Sequence, residues 1–348
     1  MTLQLEISTE GPLGVVALNR PEAINALSGE MIAGIAEVLT EWRDDPAIRL
    51  VLFEGRGPRG FCAGGDVRVA RQLVLDGRAE AADAYFAAEY AMNLLIATYP
   101  KPIAAIAHGA VMGGGLGIFG HCHYRFAVTG ARFAMPEAAI GFVSDVGINA
   151  LLKQVPEPRA LAFLLSGMSV GLGDALVLGL CDAAIDPGAR DGVRAGIAAA
   201  AAGDVETALV QLMHGQGIAP DEATLCAAAD MLAPAFAGTS AAEIAEGLAA
   251  EAADAVPEGL RAGLATGSPT SLEAILASHR AARRLPDIAE VLRLDGRMAA
   301  LMVRQPDFAE GVRAVLVDKD RRPRWRPAAL ADVDRAAIAA AAIGAGVA

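Results

Sequence analysis

Hydrophobic residues in the first half of the chain alternate between short continuous runs and helical spacing. Leu13–Leu18 and residues 48–53 are apolar runs bounded by turn residues, as is typical of buried strands. Between them, Ser28 precedes a segment whose apolar residues recur every three or four positions, which predicts a capped helix. This part of the chain therefore predicts a β-α-β unit.

The same alternation continues towards residue 190. Ile103–Ala107 and Tyr124–Val128 are further apolar runs, and a helical pattern over residues 81–97 precedes the first of them. Strands that alternate with helices predict an α/β fold with a mostly parallel sheet. We expect residues 1–190 to form this α/β core.

The composition changes after residue 190, where alanine-rich stretches are interrupted by prolines and β-branched runs become rare. Residues 191–348 are therefore expected to form a mostly helical C-terminal region. Its clearest helix start lies at residues 268–273, where Thr270 and Glu273 have the spacing of a capping box.

Composition narrows the class of protein. The 348 residues are 54% hydrophobic, enough for a large core, and no apolar run approaches the ~20 residues of a membrane span. The formal charge of −12 argues against a nucleic-acid partner. The first residues lack the basic region and the apolar region of a signal peptide, so we expect a cytoplasmic protein with no membrane partner. The four cysteines lack C-x-x-C spacing, which predicts reduced thiols.

Two glycine-rich turns follow predicted strands, and both can present backbone N–H groups to a negatively charged oxygen. They are residues 61–66 (FCAGGD) and residues 112–117 (MGGGLG). Glycine allows a ligand to approach the backbone closely, and the first N–H groups of a helix have no intrahelical acceptor. Taken singly, each run is also compatible with a tight turn that binds nothing.

Glu137 and Asp145 are two acids in a loop-like segment that contains Pro136 and Gly141. A carboxyl group beside an apolar lining has a raised pKa, which suits proton transfer near neutral pH. The alternative is that Glu137 caps a helix and Asp145 is solvated. His121 and His123 have no common zinc spacing, so no metal site is predicted.

Taken together, these segments resemble the crotonase (enoyl-CoA hydratase/isomerase) superfamily. The matching segments are residues 19–27 (NRPEAINAL), 61–66, 101–102 (KP) and 112–115. The resemblance implies a crotonase-like (ClpP/crotonase) ββα superhelix core. It also implies that the N–H groups of Gly65 and Gly114 hold a thioester oxygen. The substrate-binding residues that it suggests are Arg20, Ala26, Gly64, Asp66, Glu89 and Gly113.

Within the superfamily the chain is similar to the 3-hydroxyisobutyryl-CoA hydrolase subfamily. Gly117 stands where hydratases usually carry a first catalytic Glu, whereas the hydrolase-like Met135-Pro136-Glu137 with Asp145 is present. Residues 268–272 (SPTSL) and 308–320 (FAEGVRAVLVDKD) also resemble that subfamily. The segment 144–149 (SDVGIN) departs from it, because the subfamily usually has Pro before the second acid and a glycine-rich, aromatic-containing stretch after it.

The resemblance implies hydrolysis of a short 3-hydroxyacyl-CoA thioester, 3-hydroxyisobutyryl-CoA of valine catabolism above all. Glu137 would act as a general base or as a nucleophile, and the sequence leaves both open; Asp145 would orient Glu137, the water or the substrate hydroxyl. Acyl-CoA is the expected partner, and no cofactor or metal is expected beyond the coenzyme A of the substrate. A trimer-based homo-oligomer, common among crotonase-like proteins, is one assembly that the resemblance suggests. An enoyl-CoA hydratase or isomerase and a non-catalytic acyl-CoA-binding protein are the alternatives. Arg20 and Lys101 are candidates for the CoA phosphates.

Overall fold

Strands and helices alternate through the first half of the chain, in a computed structural model that describes residues 4–215, 218 and 220–344. The strands are β1 (Leu5–Glu10), β2 (Leu13–Leu18), β3 (Leu50–Gly55), β4 (Gly60–Cys62), β5 (Ile103–Ala107), β6 (Ala110–Met112), β7 (Tyr124–Val128), β8 (Arg132–Ala134) and β9 (Ala183–Ile185). The α-helices of the first half are α1 (Gly29–Asp44), α2 (Val67–Leu75), α3 (Ala79–Ala97), α4 (Gly114–Phe119), α5 (Ile148–Leu152), α6 (Glu157–Ser166) and α7 (Leu172–Val177).

Helices dominate the second half. They are α8 (Arg190–Ala202), α9 (Val205–His214), α10 (Thr224–Met231), α11 (Ala241–Ala249), α12 (Glu258–Thr266), α13 (Pro269–Ala282), α14 (Ile288–Val303), α15 (Pro306–Val312) and α16 (Arg335–Ile343). Within the described residues after Ile185, every assigned element is helical, so the predicted helical character of this half is confirmed. No helix in the described ranges is long and apolar enough to cross a membrane.

Contacts divide the chain into two units that interleave along the sequence. Unit 1 comprises Met1–Gly65, Ala91–Phe133 and Val170–Ala223, and unit 2 comprises Asp66–Tyr90, Ala134–Ser169 and Thr224–Ala348. The predicted boundary at residue 190 marks the change in composition, whereas these units divide the chain elsewhere.

Unit 1 is built on a sheet with the strand order β1-β2-β3-β5-β7-β9. β2 to β9 run parallel in this sheet, with Val15 opposite Leu52 and Ile106 opposite Phe126, which confirms the predicted mostly parallel α/β core. β1 pairs antiparallel with β2. The apolar runs do not predict β1, because most of its side chains are exposed or half-buried.

Helices α8 and α9 cover one face of this sheet. Val193, Ile197 and Leu209 are buried in a core cluster with sheet residues such as Leu52 and Phe126. The face is apolar because parallel strands are covered by helices and need no polar side. A second sheet in the order β4-β6-β8 carries the two glycine turns.

In unit 2, α13 begins at a different cap from the predicted one. Ser268 is the N-cap, and its hydroxyl accepts a hydrogen bond from the N–H of Ser271. Glu273 accepts the Ala241 N–H at 2.5 Å and pairs with Arg335, so the predicted Thr270–Glu273 capping box is wrong. The reason is that Pro269 fits the first helical position, which moves the cap two residues upstream.

Candidate active site

Hydrogen bonds of Asn25 hold the N-terminal segment of residues 20–27 against the first glycine turn. The buried Asn25 amide donates to the carbonyl oxygens of Gly60 and Phe61 at 3.2 and 3.0 Å, and its Oδ1 accepts the Arg20 N–H at 2.8 Å. Leu27 N–H also donates to Gly64 O at 2.8 Å. Ala26 therefore lies in a segment that is hydrogen-bonded directly to the first glycine turn.

The two glycine turns lie against each other because the strands before them are paired. β4 and β6 run parallel, with Cys62 opposite Val111, so both turns leave the same edge of the sheet. Gly64 has a φ of +106°, and a Cβ there would lie 3.1 Å from Met112 O and 3.3 Å from Gly114 N. A side chain at position 64 would be strained and would crowd the second turn, which explains the glycine.

The amides of Gly65 and Gly114 remain available for a ligand. Gly113 has a φ of +48° and is the N-cap of α4, so Gly114 is the first helical residue and its N–H has no intrahelical acceptor. Among the described residues, neither amide has a recorded hydrogen-bond acceptor. Two such donors on adjoining turns can bind one negatively charged oxygen.

Glu137 begins the 3-10 helix Glu137–Ile140 in unit 2, and close backbone packing fixes the end of that helix. Gly141 follows it with a φ of +69°, and a Cβ there would lie 2.1 Å from Asp307 O. A Cβ at Gly311 would lie 2.4 Å from the carbonyl carbon of Ile140. Backbone touches backbone at both glycines, so the residues after Glu137 have little freedom to move.

Asp145 lies near Glu137 in a group of buried polar side chains. Tyr90 donates its hydroxyl to Asp145 Oδ2 at 2.6 Å, and Ser144 Oγ approaches Glu137 Oε2 at 3.4 Å. Both acids are buried, so the alternative of a solvated Asp145 is wrong. The chain turns directly after Asp145, where Val146 and Gly147 adopt positive φ values of +53° and +73°.

Glu89 is the third buried acid of this group. Its Oε1 has no hydrogen-bond partner, and none of the described salt bridges of unit 2 involves Glu89, Glu137 or Asp145. Burial and the charge of Asp145 raise the pKa of Glu89 to about 8. We call Glu89, Glu137 and Asp145 the acid cluster.

The pKa values of the other two acids are raised as well. Burial raises the pKa of Asp145 to about 7, although the Tyr90 hydrogen bond opposes the rise. The pKa of Glu137 is raised well above its ordinary value, first by burial and then by the charge of Asp145. Interacting acids of this kind share protons, so at neutral pH the cluster carries part of its full negative charge.

Aromatic rings from α3, from the segment between Glu137 and Asp145 and from α15 form a cluster in unit 2. Phe142 stacks on Phe86 with ring centroids 4.8 Å apart, and it contacts Phe308 at 5.4 Å. Phe86 lies one helical turn before Tyr90 on α3. Phe142, which precedes Asp145 by three residues, therefore belongs to an aromatic cluster.

The remaining predicted residues have structural partners. The Arg20 guanidinium donates to Ala26 O at 3.1 Å, and Asp66, the N-cap of α2, accepts from Arg68 at 3.3 Å. Lys101 Nζ donates to the carbonyl oxygens of Trp42 and Asp45, so its ammonium group is occupied in unit 1. For Arg20, Asp66 and Ala26, substrate binding stays a prediction.

Sequence reasoning missed two residues that organise these sites, Asn25 and Tyr90. Both were visible in the sequence, since Asn25 lies inside the NRPEAINAL segment and Tyr90 follows Glu89 directly. No group of three or more His, Cys, Asp or Glu side chains in the described ranges is arranged to hold a metal ion. His123 Nδ1 instead accepts the Ile103 N–H at 3.1 Å.

Comparisons with known proteins identify the family of this chain. The family model described as enoyl-CoA hydratase/isomerase matches residues 13–341. The chain therefore belongs to the enoyl-CoA hydratase/isomerase family, and its α/β core has the crotonase fold of that family.

Relatives of two kinds are found within the family. Chicken (Gallus gallus) mitochondrial 3-hydroxyisobutyryl-CoA hydrolase is 33% identical over 94% of this chain and 85% of its own length. A solved carnitinyl-CoA dehydratase from Mycobacterium thermoresistibile is 33% identical, with a TM-score of 0.89 over 98% of this chain and 96% of that one. A solved enoyl-CoA hydratase from Rhodobacter sphaeroides is 32% identical, with a TM-score of 0.88 over 97% of this chain and 96% of that one.

Proposed function

We propose that this protein hydrolyses a short 3-hydroxyacyl-CoA thioester, with 3-hydroxyisobutyryl-CoA as the preferred substrate in valine catabolism. The observation that carries the proposal is the acid cluster, in which Glu137 lies with two further buried acids and, among the residues that the structure describes, no cationic partner. A carboxyl group that lies there despite the free-energy cost of its burial is suited to proton transfer or nucleophilic attack near neutral pH. The relationship to the chicken hydrolase supports the same substrate class.

The proposed mechanism gives separate roles to the glycine amides and to Glu137. The N–H groups of Gly65 and Gly114 stabilise the oxyanion that forms at the carbonyl, a contribution of about 3–4 kcal/mol per donor in comparable sites. Glu137 either takes a proton from the attacking water or attacks the acyl carbon itself to form an anhydride that water then cleaves. In both routes the carbon–sulfur bond breaks, the thiolate takes up a proton, and the products are the 3-hydroxy acid and CoA.

Glu89 and Asp145 support the preference for a hydroxylated acyl group. The Oε1 of Glu89 is buried with no partner, and Asp145 has one oxygen bonded to Tyr90. A substrate hydroxyl that reaches this cluster would supply the missing hydrogen bond, since an unpaired buried acceptor is costly. We therefore assign the recognition of the 3-hydroxyl to the acid cluster.

Release of free CoA thiol from a panel of acyl-CoA esters tests the proposed function. We expect thiol release from 3-hydroxyisobutyryl-CoA and 3-hydroxypropionyl-CoA by the wild-type protein and none by Glu137→Gln. Tight binding of these esters without turnover would instead identify a non-catalytic acyl-CoA-binding protein.

A single turnover in ¹⁸O-labelled water tests the nucleophilic route of Glu137. Water that cleaves an anhydride at the carboxyl side of the enzyme leaves ¹⁸O in Glu137, which peptide mass spectrometry detects. Label in Glu137 establishes that route, whereas label in the hydroxy acid alone fits both a general base and attack of water at the acyl carbon of the anhydride.

Hydration or isomerisation of an enoyl-CoA is the second candidate, because the two solved relatives are named as a dehydratase and a hydratase. Gly117, which has no side chain to act as a second acid, speaks against two-acid water addition. Loss of the enoyl absorbance of crotonyl-CoA without thiol release would favour this candidate.

We also propose that the reaction needs no cofactor, that the protein is cytoplasmic and that it forms a trimer-based homo-oligomer. Activity that survives a chelator supports the first, and light scattering of the purified protein tests the third. Fractionation of the source cells decides the location, since the chicken relative is named as mitochondrial.

A further inference from the structure

Asp295 is a buried acid of unit 2 that the proposed mechanism does not use. It lies on α14 with 1% of its surface exposed, and its Oδ2 accepts the N–H of Gly147 at 2.8 Å. Its Oδ1 has no hydrogen-bond partner. A buried carboxyl group with one unsatisfied oxygen is costly, so the position calls for a function.

The Gly147 N–H belongs to the turn that follows Asp145 directly. Val146 has a φ of +53°, a conformation that β-branched residues rarely adopt, and Gly147 follows with +73°. A strained residue of this kind persists only where its surroundings impose its conformation. The hydrogen bond from Gly147 to Asp295 is one such constraint, and it acts two residues after Asp145.

We infer that Asp295 is a positioning residue that fixes the Val146–Gly147 turn and thereby sets the place of the Asp145 carboxyl. The part of this inference that concerns catalysis rests on the proposed function. The part that concerns the turn does not.

The charges around Asp295 favour its neutral form. Burial first, and then the charge of Asp145, raise the pKa of Asp295 well above its ordinary value, while the Gly147 N–H and Arg297 act in the opposite direction. The other titratable groups of the neighbourhood, Glu89, Glu137 and Tyr90, belong to the acid cluster or adjoin it. A neutral acid accepts the Gly147 N–H through its carbonyl oxygen, and an asparagine amide offers the same acceptor.

This equivalence defines the experiment. We compare Asp295→Asn, which keeps the acceptor, with Asp295→Ala, which removes it. Glu273→Ala is the matched control, because Glu273 is also a buried acid of unit 2 that accepts a backbone N–H. We expect Asp295→Ala to lower kcat by about 10²-fold, as small misplacements of catalytic groups do, with little change in KM. Asp295→Asn should retain kcat and the pH profile, and Glu273→Ala should lose thermal stability with kcat unchanged.

Hydrogen exchange of the Gly147 amide gives a readout that needs no substrate. Exchange should accelerate in Asp295→Ala and stay slow in Asp295→Asn. If the alanine variant does not fold, Asp295→Leu removes the acceptor while filling the space.

The outcomes separate the two claims. A wild-type protein that hydrolyses no acyl-CoA, with Gly147 exchange that still responds as expected, refutes the proposed function and supports the role of Asp295 in the turn. An Asp295→Asn variant as inactive as Asp295→Ala, or unchanged exchange and kcat in the variant without an acceptor, overturns the inference.

Discussion

The phenolic oxygen of Tyr90 lies 2.6 Å from Oδ2 of Asp145 and donates a hydrogen bond to it. This bond favours the carboxylate form of Asp145 and so limits the rise in its pKa that burial causes. The pKa of Tyr90 is itself raised well above its ordinary value by burial and by the charge of Asp145, so the phenol keeps its proton. Tyr90 therefore helps to set the pH at which the acid cluster ionises.

Replacing Tyr90 by Phe should move the acidic limb of the kcat–pH profile to higher pH. Without the hydrogen bond the Asp145 carboxylate loses stabilisation, so its pKa rises above about 7. The pH dependence of thiol release measures the shift. Tyr99→Phe is the control, because Tyr99 also loses a hydrogen bond from a buried hydroxyl, to Leu39 O, but lies in unit 1. Identical limbs in the wild type and Tyr90→Phe would show that Asp145 does not govern the profile.

Glu137→Gln should abolish hydrolysis and leave CoA-ester binding within about tenfold, or ~1.4 kcal/mol. The amide keeps the size of the side chain and removes the base or nucleophile. Turnover by thiol release and calorimetric binding of a non-hydrolysable thioether analogue measure the two effects. A variant with near-normal kcat would remove Glu137 from the mechanism.

Two neighbouring glycines should respond differently to substitution. Gly114→Val places a branched side chain beside the amide that we propose for the oxyanion hole, so kcat should fall by about 10²–10³-fold, as after loss of one donor. Gly115→Ala would put its Cβ 2.4 Å from Cys62 O, so the free energy of unfolding should fall by about 1–3 kcal/mol. Denaturation midpoints and kcat per folded molecule distinguish the two. Normal turnover in a folded Gly114→Val protein excludes Gly114 from the hole.

Substrate discrimination should depend on the hydroxyl group of the acyl chain. A site that pairs buried acceptors with a hydroxyl rejects the analogue without it strongly, whereas a methyl difference changes the rate modestly. Isobutyryl-CoA should therefore have a much lower kcat/KM than its 3-hydroxy derivative. Glu89→Gln and Asp145→Asn should narrow the difference. Equal values of kcat/KM for the two esters in the wild type would show that the site does not recognise the hydroxyl group and that the protein is a general thioesterase.

The free energy of unfolding should decrease as the pH rises from about 4 to about 8. Glu89 and Asp145 have folded-state pKa values of about 8 and about 7, above their ordinary values of 4.5 and 3.8, so the folded protein binds more protons than the unfolded chain in this window. Each group contributes a slope of about −1.4 kcal/mol per pH unit between its two pKa values.

Glu89→Gln tests that explanation, because it removes one of the two ionisations. The variant should be more stable than the wild type at pH 8 and nearly equal to it at pH 4. Chemical denaturation at both pH values measures the difference. A wild-type stability that rises between pH 4 and pH 8 would contradict the assignment.

Much of the fold was readable from the sequence, because its strands are continuous apolar runs. β2, β3, β5 and β7 lie where such runs predict them, and α1 begins after Ser28 as expected, with the Ser28 hydroxyl accepting the Met31 N–H. The glycine turns and Glu137 were recognisable because close backbone approach and acid chemistry restrict those positions to few residue types.

The sequence did not predict features that depend on contacts between distant residues. The Tyr90–Asp145 bond joins residues 55 positions apart, and the Gly147–Asp295 bond joins residues 148 positions apart. β1 has a polar face that weakens its signal, and the cap of α13 was decided by Pro269 rather than by the capping-box spacing. Local patterns specify local structure, whereas the burial of charge is decided by the whole fold.

The close contacts of Gly141 and Gly311 affect when this part of the protein can fold during its synthesis. The backbone beside Glu137 is packed against residues 307–311, which the ribosome adds about 170 residues later. At typical translation rates this delay is ~10–30 s. During that time the nascent chain already carries Glu137 but lacks the segment against which the residues after it pack. Unit 2 therefore acquires its acid site only near the end of translation.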